Sequence, residues 1–181
     1  MRTPPAPSLL LALALAGCAG DSPTTTPPPD VPALARGALT PGSYPLTGRC
    51  VTSFDPPPFP LPAVHRQVDT GSCELAHLGR AALHLVQDIY FATGTQVSIE
   101  FTFTAANGDV LRATNVGTSA PSGTGVRFQG TTTFVGGTGR FADATGEARL
   151  EGTANFLTNT AEFTIVDGRI AYDASARGQQ P

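Results

Sequence analysis

Whatever reactive chemistry this chain has must come from three cysteines, three histidines, its carboxylates and hydroxyls, because it contains no lysine at all. That absence excludes a Schiff-base lysine, a phosphate-binding Walker lysine and a Ser-Lys dyad. His65, His77 and His84 form no close ligand pair. His77 and His84 would point to opposite faces of one strand, so only a turn between them could bring them together, and no metal site is expected. Ser119-Ala120-Pro121-Ser122-Gly123 offers serines without the Gly-x-Ser-x-Gly elbow of a nucleophile. Glu100, Glu147, Glu151 and Glu162 are the carboxylates that could pair for acid–base work. Their positions fit outward strand faces instead. Only an inverted alternation, with the polar face lining a barrel interior, would make Glu100 and Arg112 candidates. No catalytic residue is assigned and no cofactor is expected.

The cysteines divide by position. Cys18 closes Leu15-Ala16-Gly17-Cys18 after a short apolar run that follows Arg2. Charged start, apolar centre and small residues are the order of a secretory signal, and the run is far below the ~20 residues a bilayer span needs. The final Cys resembles the lipobox of bacterial lipoproteins, which implies acylation at Cys18 and anchoring of an exported protein to the cell envelope. Cys50 and Cys73 then remain as an even pair, the pattern of one structural disulfide in an exported chain. A catalytic thiol is the sharper alternative, but neither Cys stands beside a His in a nucleophile signature.

Residues 1–17 therefore read as signal peptide and 18–43 as the lipidated Cys with a Pro- and Thr-rich spacer. Residues 44–175 read as a folded domain and 176–181 as a disordered tail. The prolines around Thr24-Thr25-Thr26-Pro27-Pro28-Pro29 forbid helix and favour an extended, polyproline-like tether. A second Pro-rich run, Asp55 to Pro62, lies between Cys50 and Cys73 and reads as a surface loop pinned by the disulfide. The net charge is −3, and removal of the signal with Arg2 makes it −4. No basic patch is available to track a phosphate backbone, so nucleic acid is not an expected partner. The membrane, through Cys18, is. Oligomeric state is not legible.

From Ser72 onward the chain reads as strands. Val97, Ile99, Phe101 and Phe103 alternate with polar residues at the period of a half-buried strand. Asn107-Gly108 marks a hairpin, and Val110–Val116 returns from it. Gly117–Gly125 reads as a loop, Val126–Val135 as a strand, and Glu147–Phe156 as another. His77–Phe91 carries some helical spacing, but its glycines and aromatics favour two strands. Phe163 and Ile165 lie out of phase with Ile170 and Tyr172, and a bulge at Asp167-Gly168 would reconcile them. The expected fold is all-β: six to eight antiparallel strands joined by short turns suggest a small barrel or sandwich, and full closure into a barrel would remove exposed edges. Phe101, Phe103, Phe128, Phe134, Phe156 and Phe163 are expected to fill much of its interior, which favours a packed core over a ligand cavity.

Gly136-Gly137-Thr138-Gly139-Arg140-Phe141-Ala142-Asp143-Ala144-Thr145-Gly146 is the most distinctive run. Gly137-x-Gly139-x-x-Ala142 matches a dinucleotide fingerprint, yet too few residues follow it for the helix that fingerprint must open. A wide hairpin connection fits better: Gly136, Gly137, Gly139 and Gly146 supply unusual backbone angles, Phe141 folds back to plug a barrel end, and Arg140 points outward or meets a carboxylate. Together with Ala76-His77-Leu78-Gly79-Arg80 and Ala105-Ala106-Asn107-Gly108-Asp109, this run resembles a group of bacterial secreted proteins related to the allene oxide cyclase and dirigent superfamily. The resemblance implies an eight-stranded antiparallel barrel over roughly Gly71 to Tyr172. Plant members of that superfamily cyclise an unsaturated epoxide or steer radical coupling within the barrel. No catalytic residue of theirs is carried onto this chain.

These readings converge on a lipid-anchored envelope protein whose barrel binds a partner or a small apolar ligand, or is structural. The alternative is an isomerase or cyclase acting on a small lipophilic substrate at the barrel mouth.

Overall fold

The computed structural model describes residues 42–174. The signal peptide, Cys18, nearly all of the tether and the C-terminal tail lie outside the described residues. Eight strands follow in order: β1 (Gly42–Phe54), β2 (Val64–Leu75), β3 (Gly79–Tyr90), β4 (Thr95–Ala105), β5 (Val110–Ser122), β6 (Gly125–Gly137), β7 (Thr145–Asn155) and β8 (Thr160–Tyr172). Each pairs antiparallel with its sequence neighbours, and β8 returns to β1, so the sheet closes as a barrel. The all-β, eight-stranded barrel expected from the sequence is the observed fold.

Closure divides the molecule into two poles. The β2–β3 and β4–β5 turns and the β6–β7 connection share one pole with the start of β1 and the end of β8, where Gly42 pairs with Tyr172. That pole is plugged. Phe141, from a single 3-10 turn (Gly139–Phe141), is fully buried and meets the Tyr172 ring edge-on, with centroids 5.1 Å apart. Tyr44 lies 5.2 Å from the same ring. Beneath them Leu46, Phe103, Leu111, Phe134, Ile165 and Ile170 form a close-packed core.

Four expectations are corrected. His77–Phe91 is not two strands: β3 is one continuous strand, and only the turn before it is distinct, with positive φ at His77 and Gly79. Gly117–Gly125 is not a loop either. β5 pairs with β6 as far as Ser122 and Gly125. Its pairing with β4 ends at Thr118, so the N–H that Pro121 lacks is not demanded by a second neighbour. Ile99 does not share a face with Phe101 and Phe103. The β4–β5 register slips between Val97 and Phe101, a bulge that reverses the alternation and leaves Ile99 52% exposed. Phe156 lies just past the end of β7, half-exposed, its ring edge-on to Phe54 rather than in the core.

The bulge expected in β8 is present. Asp167 has φ 50°, and the register slips opposite Glu147/Arg149 and Leu46/Gly48. One extra residue there turns Ile170 inward along with Ile165, and both are fully buried.

Candidate functional site

The second pole is built differently. Four connections meet there: the Pro-rich loop after β1, and the turns after β3, β5 and β7. Under them the barrel encloses a cavity of about 530 Å³, within the range of small-molecule sites. The barrel is therefore packed at one end and hollow at the other. Phe163 and Leu150 line the hollow, as does Phe128, which is only partly buried.

The cavity wall has two characters. Along β6, β7 and β8 it presents Val126, Phe128, Leu150, Ala154, Ala161 and Phe163. Along β2 to β5 it presents Gln67, Asp69, Gln87, Gln96 and Asn115, all buried. The polar stripe has a local cause in each strand. In β2 the alternation is inverted: Gln67 and Asp69 turn inward while Val64 and Val68 stand more than 40% exposed on the outer wall. In β4 the bulge shifts the phase, so Gln96 takes the inward position that an unbroken alternation would give Val97.

Asp69 is the centre of the stripe. It is 3% exposed, and its carboxylate accepts hydrogen bonds from Gln67 Nε2 at 3.0 and 3.1 Å and from Gln87 Nε2 at 2.9 Å. Those donors are neutral amides, and no described cation reaches it. Burial raises its pKa above the ordinary carboxylate value, and the two glutamine hydrogen bonds offset that only in part. Asn115 is held by Thr132, whose hydroxyl donates to Asn115 Oδ1 at 3.1 Å. His65 lies on the same inward face of β2, two residues nearer the mouth than Gln67. Its ring stacks on Phe91, and its buried Nε2 has no hydrogen-bond partner.

The rim is apolar. Phe59 is 95% exposed, Leu157 78% and Leu61 56%, and Phe156 joins them. The Pro-rich loop that carries Phe59 and Leu61 hangs between β1 and β2, which the Cys50–Cys73 disulfide joins directly across the strand pair, Cα atoms 4.0 Å apart. The bridge expected from cysteine parity is thus formed.

The remaining sequence candidates lie away from the cavity. Glu100, Arg112, Glu147, Glu151 and Glu162 are exposed on the outer wall, so inversion of the alternation occurs in β2 rather than at Glu100 and Arg112. Arg49 pairs with Glu162 there, and Arg66 forks onto Asp88 at 3.0 and 3.1 Å. Gly136, Gly137, Gly139, Arg140, Phe141 and Gly146 all belong to the plugged pole. Arg140 lies 3.6 Å from Asp109 and over the Phe141 ring. Gly139 has φ 56°, and a Cβ there would collide with the Asp109 carboxylate, so both angle and space call for glycine. The turn it starts is three residues long, too short to present a phosphate-binding helix. His77 sits by Tyr44 at the plug, and His84 lies outside, 4.0 Å from Glu100. Among the described residues no group of three or more His, Cys, Asp or Glu is placed to hold a metal.

Sequence reading missed the polar stripe. The signal for it was the Val64-His65-Arg66-Gln67-Val68-Asp69 alternation, which is regular but points its valines outward. No protein-family model, curated protein or solved structure matches this chain.

Proposed function

We propose that this is a lipid-anchored protein of the bacterial cell envelope whose barrel binds a small amphipathic molecule in its half-open lumen and performs no chemistry on it. The anchor rests on Leu15-Ala16-Gly17-Cys18 and the Pro-rich spacer after it. The observation that carries the binding role is the cavity itself: an apolar wall on β6–β8 facing a polar stripe on β2–β5, under an apolar rim. A barrel that needed only stability would be filled there as it is at the other pole.

The test is titration of the full chain with N-phenyl-1-naphthylamine, a neutral probe that fluoresces in apolar surroundings. Saturable enhancement at one probe per barrel is expected. Ala161→Phe, which fills the cavity from the apolar side, is expected to abolish it while leaving the β-sheet circular dichroism unchanged. Enhancement that is non-saturable, or indifferent to Ala161→Phe, refutes the reading.

A second reading has one observation in its favour. Asp69 is a buried carboxyl whose proton affinity is raised, set in the wall of an apolar cavity, which is how barrel enzymes place an acid or base. An isomerase or cyclase acting on a lipophilic substrate, as the superfamily resemblance implies, would use it.

A further inference from the structure

Charge inside the lumen is one-sided. Among the described residues that line the cavity, Asp69 is the only ionisable one. With no lysine in the chain, only arginine or histidine could balance it. Of the described arginines, all are exposed on the outer wall except Arg140, which is at the plugged pole. His65, nearer the mouth, stacks on Phe91 and is not among the residues lining the cavity. From β1 the neighbours facing Asp69 are Thr52 and Phe54, and from β3 they are Leu85 and Gln87. None carries charge.

The hydrogen bonds restrict what Asp69 can meet. Both its oxygens accept from glutamine amides. A group arranged in this way offers its remaining lone pairs to a further donor. A buried carboxylate supported only by neutral amides is costly, and a cation beside it relieves that cost. A ligand carboxylate would instead find a like charge and no basic side chain to bind it.

We propose that the lumen is selective for a basic amphiphile, a lipophilic amine whose ammonium sits on Asp69 and whose apolar body lies along Leu150, Ala161 and Phe163, and that it discriminates against fatty-acid carboxylates. This rests on the ligand-binding reading above and specifies its head group.

The experiment displaces N-phenyl-1-naphthylamine from the full chain with octylamine, octanol and octanoate, which share one tail. It is run at mildly alkaline pH, below the range in which the octylamine ammonium loses its proton. Octylamine is expected to bind about tenfold or more tighter than octanol, as a charge-assisted hydrogen bond in a buried site allows, with octanoate weakest. Asp69→Asn, which is nearly isosteric, is expected to bring octylamine down to the level of octanol, and Asp69→Glu to retain the preference. An amine that binds no tighter than the alcohol, or a preference that survives in Asp69→Asn, overturns the proposal. If Asp69→Asn does not fold, the wild-type order of the three ligands decides alone. Failure of the probe to bind at all overturns the ligand-binding reading and this one with it. Probe binding without amine preference overturns only the head group.

Discussion

Asp69 and Asp88 show how two aspartates in one barrel acquire opposite pH behaviour. Asp88 lies outside, and its hydrogen bonds from Arg66 lower its pKa. Its contribution to stability is present above the ordinary carboxylate range and is lost as pH falls through its lowered value. For Asp69 the sign reverses. Burial raises its pKa, so the folded state holds the proton more tightly than the unfolded chain does. Its cost to stability is absent below the ordinary carboxylate pKa, grows as pH rises through that value, and is complete above the raised one. Asp69→Asn is therefore expected to raise Tm relative to wild type at neutral pH, with the gap closing in acid. Thermal melts of both proteins across that range check it. A gap that stays constant with pH would mean that Asp69 does not titrate differently in the fold.

At the scale of elements, the strands divide into those that advertise their inward face and those that hide it. β8 was readable because Phe163, Ile165, Ile170 and Tyr172 are large and apolar, and their change of phase at Asp167-Gly168 predicts the bulge that is present. Phe101, Phe103 and Phe134 were readable for the same reason. β1 and β2 were not. β2 turns glutamine and aspartate inward, and an apolar-in, polar-out rule assigns such a strand to the wrong face or to none. The candidate site was invisible because the residues that make it a site are those that break the rule by which strands are found. The plug is the complementary case. Phe141 sits on a turn whose backbone bonds run from Phe141 N to Thr138 O at 3.0 Å and from Ala144 N to Phe141 O at 3.0 Å. Phe141→Ala is expected to cost about 3–5 kcal/mol in urea unfolding, as loss of a fully buried phenylalanine does. Probe binding at the opposite pole should be unaffected. Loss of binding at full folding would show that the two ends are coupled.

For the whole molecule, the topology was accessible because every strand pairs with its neighbour in sequence, so counting strands and turns nearly determines it. What counting does not reveal is where the interior is empty, since a hollow depends on volumes summed from several strands at once. The disulfide acts at this scale as well. Cys50 and Cys73, 23 residues apart, restrict the unfolded chain. Replacing both with serine is expected to lower the unfolding free energy by about 3 kcal/mol, read from the urea midpoint. A change much below that would mean that the unfolded chain gains little freedom from their release.

One further property follows from the meander. Closure brings the last strand beside the first, and an even number of strands puts their outer ends at one pole, so Gly42 and Tyr172 lie together at the pole sealed by Phe141. The two ends of the barrel chain and the mouth of the cavity therefore occupy opposite ends of the same cylinder. Anything fused to either end of the barrel would thus adjoin the stopper and leave the mouth clear.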